Sequence, residues 1–183
     1  MMKVPFLKKK WLTQEQFTTR KSLLKGWINP LNPKSPSQDA ILYKQDEPES
    51  PQEVRGESFR QKVFMKQFGK HTQEGHWDEC QAFLYPEPDN KQDEYAVQVV
   101  ISAGPVGYLP KSDAKKIQET LIRVMHQTQK MVAVDAIVKG GWKRGLLGRD
   151  KGHFGIDLLV NLNELKKQME ETLRDDSSHF KPE

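Results

Sequence analysis

The spacing of apolar positions divides the chain into three stretches. Between Thr13 and Trp27, the apolar residues Leu12, Phe17, Leu23, Leu24 and Trp27 loosely follow one helical face. Thr13 with Gln16 three residues later has the form of a helix-starting capping box, so a short helix is expected there. Pro30, Pro33, Pro36, Pro48 and Pro51 then punctuate a stretch rich in Ser, Asn, Gln and acids that lacks apolar periodicity. Residues 28–52 read mainly as a linker, with Ala40 to Tyr43 as a brief extended contact inside it.

A packed pattern begins near Val54. Phe59, Val63, Phe64 and Phe68 fall at helical spacing and stop at Gly69, which predicts a short helix with a glycine C-cap. Trp77 to Leu84 carries the apolar set of a strand, and Tyr95 to Ile101 that of a strand buried on one face and partly on the other. Gly104 and Pro105 connect the latter to a strand at Val106 to Leu109, predicting a hairpin. Ser112 then caps a helix carrying Ala114, Ile117, Leu121, Val124 and Met125 and running to about Gln127. Val132 to Val138 and Phe154 to Val160 are two further strands, and an Asn163-capped amphipathic helix with Leu165, Met169 and Leu173 follows. Five or six short strands with one helix between the hairpin and the last two strands predict a mainly β, α+β fold. It is expected to be a small barrel of the oligonucleotide-binding type with about six strands and inserted short helices; a split β-α-β sandwich is the alternative. The expected divisions are 1–52, an arm and linker; 53–160, the domain; and 161–183, a helix and polar tail.

Composition narrows the classes. With 183 residues, 36% hydrophobic and 30% charged, the chain suits one domain with polar flanks. A single Cys excludes a disulfide framework and a four-Cys zinc site. No run approaches the length of a membrane span and no signal-peptide pattern opens the chain, so a soluble cytoplasmic protein with no membrane partner is expected. The formal charge of +4 is unevenly placed: residues 1–34 hold eight Lys/Arg against Glu15 alone, whereas residues 54–160 hold sixteen basic against thirteen acidic groups. A basic arm attracts nucleic acid or an anionic membrane without specifying either.

Two loops carry candidate chemistry. Glu87 to Glu94 contains four carboxylates, but a calcium loop starting at Asp89 would need Asp or Asn where Lys91 stands and Gly where Glu94 stands. One reading is a solvated turn in which Asp89 and Asn90 bond their own backbone. The other is that a carboxylate and an amide here recognise a sugar hydroxyl or base edge, because an anionic loop repels phosphate and suits the hydroxyl end of a strand. The second loop, Gly140 to Gly155, holds six of the chain's twelve glycines and interleaves Lys139, Lys143, Arg144, Arg149 and Lys151 with Trp142. Basic and aromatic groups mixed in this way track a phosphate backbone and stack a base. The alternative is a hairpin whose charges serve solubility and whose tryptophan covers the barrel end.

Enzyme templates find no counterpart. His71, His76, His126, His153, His179 and Cys80 have no metal-ligand spacing, Cys80 sits in a predicted strand as a small buried hydrophobe, and no nucleophile elbow or dinucleotide fingerprint occurs. The expectation is a protein that is not an enzyme and uses no metal or cofactor.

Val54-Arg-Gly-Glu-Ser-Phe-Arg-Gln61, the motif Pro-Asp-Asn-x-x-Asp-x-x-Ala-Val from Pro88 to Val97, and Val-Gly-Tyr-Leu from Val106 to Leu109 together resemble the HIRAN-domain family. Gly140-Gly141 and Gly152-His-Phe-Gly-Ile156 extend the resemblance, which spans roughly residues 53–160. It implies a small barrel that, in eukaryotic fork-remodelling helicases, grips single-stranded DNA and recognises its free 3′ hydroxyl end. On that basis Phe59 packs at the terminal nucleotide, Asp89 and Asn90 line the pocket, Asp93 accepts a hydrogen bond from the 3′ hydroxyl, and Lys111 contacts a phosphate beside Tyr108. Three positions depart from the family pattern: Gln92 replaces a base-stacking aromatic, Lys91 replaces a proline, and Arg60 replaces a second aromatic. Stacking is worth about 1–3 kcal/mol per base, so the missing platform weakens binding or moves it to Trp142, with Tyr95 as a further substitute.

The expected function is therefore single-stranded DNA binding with a preference for 3′ ends. Phe59, Arg60, Asp89, Asn90, Asp93, Tyr108, Lys111, Trp142, Lys143 and Arg144 are the candidate contacts. The alternatives are an adaptor docked to a helicase, nuclease or defence complex through the amphipathic segments 13–27 and 163–174, and a metal-assisted hydrolase built on Glu87, Asp89, Asp93 and Glu94.

Overall fold

The computed structural model describes residues 39–46, 48, 50–145 and 149–178, with side chains through residue 175. The helix expected over 13–27 and the basic arm lie outside the described residues. The strands are β1 (Ala40–Tyr43), β2 (Gln52–Glu53), β3 (His76–Pro86), β4 (Val97–Ile101), β5 (Gly104–Tyr108), β6 (Met131–Gly140), β7 (Lys143–Arg144), β8 (Asp150–Lys151) and β9 (Phe154–Leu158). The helices are α1 (Gln61–Phe68), preceded by a single 3-10 turn at Glu57–Arg60, then α2 (Lys111–Thr128) and α3 (Leu162–Ser178).

The main sheet runs β2-β9-β6-β3-β4-β5, and β1 joins it in parallel on β6. Every other pairing in it is antiparallel. The path curls back on itself: Arg55, two residues past β2, exchanges both backbone hydrogen bonds with Tyr108 at the end of β5, each 2.8 Å. This is a small, mainly β fold of the oligonucleotide-binding type, as the periodicity predicted. Gly107 makes the seam possible, since a Cβ there would lie 2.5 Å from the Arg55 carbonyl oxygen and 2.5 Å from a Val54 methyl.

Alternation explains the core. Leu84 of β3, Val99 of β4, Val132, Val134 and Val138 of β6, and Ile156 and Leu158 of β9 are all fully buried. Ile117, Leu121 and Met125 of α2 join Leu165 and Met169 of α3 in the same cluster. Burying each such side chain is worth about 1.5–3 kcal/mol, so the apolar face of residues 163–174 is used inside this chain and not for docking a partner. No described helix is long and apolar enough to cross a membrane.

Several boundaries differ from the sequence expectation. Residues 40–43, expected as a brief contact inside a linker, form a strand paired along Met131 to Val134, the half of the β6 edge that β9 leaves open. Ser112 does not cap α2, which begins one residue earlier after Pro110 with no side-chain cap. Asn161, not Asn163, starts α3: its Oδ1 accepts the backbone N–H groups of Asn163 (3.0 Å) and Glu164 (3.3 Å). The glycine-rich loop contains the small hairpin β7-β8, which no apolar alternation announced.

Candidate nucleic-acid interface

The loop after β3 is folded by its own polar groups. Asn90 Oδ1 accepts the backbone N–H of Gln92 (3.0 Å) and of Asp93 (3.2 Å), while its Nδ2 donates to Glu87 at 2.8 Å. Asp93 Oδ1 accepts the Tyr95 N–H at 3.0 Å, and the Asp93 carbonyl accepts the N–H of Ala96. Asn90 is thus the keystone of the turn, with both ends of its amide engaged. Asp89 stands exposed beside it.

The neighbouring strands meet this loop with a polar row. Tyr85, Gln98 and Tyr108 are directly paired across β3, β4 and β5 and so share one sheet face. Gln98 Nε2 donates to the Tyr108 hydroxyl at 2.9 Å, and that hydroxyl hydrogen-bonds Glu87. Because Glu87 can only accept, the Tyr108 hydroxyl donates to it and accepts from Gln98. That leaves the Gln98 Oε1 buried and without a partner. Burial raises the Tyr108 phenol above its ordinary range, the Gln98 bond opposes this, the Glu87 charge adds to it, and the nearby Arg60 charge lowers it. Burial and Glu87 push the Tyr85 phenol up to about 12.

Lys111, at the start of α2, places Nζ 3.9 Å from Asp93 Oδ1; the lysine side chain is 72% exposed and the aspartate 22%. The 3-10 turn completes this mouth. Glu57 is anchored on β9, accepting the Ile156 N–H at 2.9 Å. Arg60, at the other end of the turn, lies within electrostatic reach of Tyr108. Between them Phe59 is 88% exposed. Asp89, Asn90, Asp93, Tyr108 and Lys111 therefore gather at one end of the sheet with Arg60 within electrostatic reach, while Phe59 stands on the turn between Glu57 and Gln61, which bond β9 at Ile156 and Phe154.

Trp142, Lys143 and Arg144 belong to the other. His76, the first residue of β3, pairs with Gly140, whereas the acidic loop follows Pro86 at the strand's far end, roughly 30 Å away along an extended strand. The hairpin root is pinned to the loop before β3: Thr72 N–H donates to the Gly141 carbonyl (3.1 Å), Lys143 N–H to the Thr72 carbonyl (2.7 Å), and Arg144 Nε to the Gln73 carbonyl (3.2 Å). Lys143, Arg144 and Gly145 line an open cavity of about 670 Å³ with Gln73 and Glu74. Trp142 is half-buried, so close to Gly152 that a Cβ there would sit 2.1 Å from the indole nitrogen, and Arg144 lies 5.3 Å from its ring centroid. It covers the hairpin's glycines and does not stand open as a stacking surface. Tyr95 is likewise half-buried, with Lys115 5.2 Å from its ring centroid.

The chain matches no protein-family model and no curated protein. Among solved structures it is similar to the crystal structure of the HIRAN domain of human HLTF. That match has 15% identity and a TM-score of 0.24, covering 59% of this chain and 93% of that one. So loose a superposition carries no weight about function, and the resemblance rests on this chain's own motifs.

Two features escaped the sequence. Glu87 holds Asn90 and Tyr108 together, a role visible only once the loop is folded. Trp77, which counted as part of a strand's apolar set, is 72% exposed; its position among apolar residues hid the face it occupies. Cys80, expected to be buried, is partly buried against the core, and burial with the charges of Asp78 and Asp135 pushes its thiol up to about 11. Among the described residues no three His, Cys, Asp or Glu side chains are grouped to hold a metal ion, so the four carboxylates of the acidic loop do not converge.

Proposed function

We propose that this chain is a nucleic-acid-binding module that grips single-stranded DNA at the mouth formed by the loop after β3, with preference for a free 3′ hydroxyl. The carrying observation is the pair Asp93 and Lys111. Asp93 is fixed through Oδ1, its second oxygen makes no hydrogen bond to described residues, and an exposed ammonium stands 3.9 Å away. A terminal nucleotide offers the matching groups, a hydroxyl donor and a phosphate on the adjoining linkage. Exposed Phe59 supplies a ring for the terminal sugar and base, and Arg60 a second cation. Asn90 and Glu87 act as positioning residues that hold the loop. The proposed activity is binding without turnover, and the basic residues of the arm and of the β7-β8 hairpin add affinity that falls with salt.

Fluorescence anisotropy with short oligonucleotides ending in a 3′ hydroxyl, a 3′ phosphate or a closed hairpin tests this reading. The 3′ hydroxyl strand binds most tightly, and Asp93→Ala removes the difference between the first two ends. Equal binding of all three by the unaltered protein would defeat end recognition while leaving strand binding in place.

A further inference from the structure

Trp77 and Phe59 are the two large apolar side chains left open among the described residues, 72% and 88% exposed. Sheet register relates them. Trp77 pairs with Lys139 and Lys139 with Gly155, so the three residues share one face in a row about 10 Å long. At the end of the row, a Cβ built on Gly155 would lie 3.5 Å from Glu57 Oε1, and Glu57 opens the 3-10 turn that carries Phe59. The row therefore runs from the turn, over Gly155 with no side chain and then Lys139, whose ammonium is drawn to Asp157, to an exposed indole. Gly155 makes a dip between two aromatic shoulders.

Charge gives the dip a direction. Lys139 is neutralised by Asp157, and Glu79, exposed on the same face as Trp77, discourages a polyanion from continuing along β3. The cations nearest the tryptophan end stand on the hairpin that continues from β6: Lys143, Arg144 and Lys151, all exposed, with Asp150 among them. Its root packs on the loop just before β3, since a Cβ on Gly75 would lie 2.9 Å from the Gly140 carbonyl oxygen and 3.3 Å from Trp142 Cβ. An aromatic face beside a cluster of lysine and arginine fits a strand of nucleic acid, which stacks a base and neutralises its phosphates together.

We propose that Trp77 is a second base-stacking platform for a single strand whose end sits at Asp93. The strand leaves Phe59, crosses the dip at Gly155 and lays a base on the Trp77 indole, with its phosphates turned toward Lys143, Arg144 and Lys151. The inference rests on the nucleic-acid reading of the mouth. It gives the chain the stacking group that Gln92 does not supply, at a place the acidic loop does not reach.

The test is anisotropy of the full chain with oligothymidylates ending in a 3′ hydroxyl, from about two to about ten nucleotides. Affinity for the unaltered protein rises with length until the strand reaches Trp77. Trp77→Ala leaves the shortest strands unchanged and weakens the longer ones by on the order of ten- to a hundredfold, and Trp77→Phe recovers most of that loss. Gly155→Val fills the dip while keeping the indole, and it reproduces the length-dependent loss. Circular dichroism matching the unaltered protein separates these effects from misfolding. Trp77→Ala binding like the unaltered protein at every length overturns the proposal and leaves the mouth in place. No binding of any oligothymidylate by the unaltered protein overturns both.

Discussion

The two ends of β3 are held by different forces. At its far end the acidic loop is shaped by hydrogen bonds, with Asn90 bonded to Glu87, Gln92 and Asp93, and Glu87 also bonded to Tyr108. At its near end the basic hairpin is shaped by the absence of side chains. Gly140 and Gly141 take positive φ of 91° and 61°, and a Cβ on either would enter the His153 backbone or the Phe154 ring. Carboxylates crowded in one loop repel each other unless N–H groups are aimed at them, so that end needs donors. The hairpin of lysines and arginines is fixed instead by steric fit at its glycines together with hydrogen bonds from its root to Thr72 and Gln73. The acidic end is therefore chemically selective, while the basic end is spatially exact and chemically tolerant.

Substitutions at the two ends should separate these principles. The largest effect is expected from Gly140→Ala, which combines a strained φ with a Cβ 2.2 Å from the His153 carbonyl oxygen. A loss of about 3 kcal/mol in urea unfolding is expected, and an unchanged midpoint would show that the hairpin is not sterically fixed. Asn90→Ala removes three hydrogen bonds at the other end and should cost about 2 kcal/mol, together with 3′-end discrimination. Retention of that discrimination would show that the loop does not need its keystone.

Lys111→Ala should weaken every single strand by about fivefold and reduce the salt slope by about one. A selective loss for one type of end would instead make Lys111 part of the recognition. Tyr108→Phe breaks the link between Gln98 and Glu87 and is expected to cost about 1 kcal/mol, measured by the same unfolding curves.

The smallest effect is expected at alkaline pH. The Cys80 thiol is raised to about 11 and the Tyr85 phenol to about 12, so folding favours their neutral forms. Their contribution is complete below their unfolded pKa values and is lost as pH climbs through the folded ones. Thermal unfolding should therefore show a decline confined to the alkaline side. At pH 8, Cys80 should react with a disulfide reagent well below the rate of an unhindered thiol; equal rates would contradict its shielding.

The strands were legible because alternation leaves a mark: Val132, Val134, Ala136 and Val138 recur every second residue and all point to the core. The barrel type followed from their order. Register was not legible, because no local pattern states that Trp77 faces Lys139, and a shift of one residue exchanges the two faces. Asn161 and Asn163 are equally good caps by composition, and only the backbone path selects the first. In the mouth, the candidates Asp93, Asn90, Tyr108 and Lys111 were named from a motif, and the structure shows them gathered at one place. The polar row Tyr85, Gln98 and Tyr108 was hidden because its members come from three strands. The hairpin β7-β8, made of Lys, Arg and Asp, has no apolar signal to read.

The short strand β2 has a consequence for how the protein is made. Gln52 pairs with Leu158 and Glu53 with Asp157, and Arg55 waits for Tyr108. In synthesis from the N-terminus the earliest strands thus have no partner until nearly the whole domain has been translated. Contacts so distant in sequence slow folding, because the loop between them must be ordered before any gain is returned. During that interval the part of the β6 edge that β9 covers, Ala136 to Gly140, is exposed to other chains. The same curl that seals the finished sheet makes the nascent chain the stage most open to aggregation, and slow translation or a bound chaperone would matter most before Leu158 emerges.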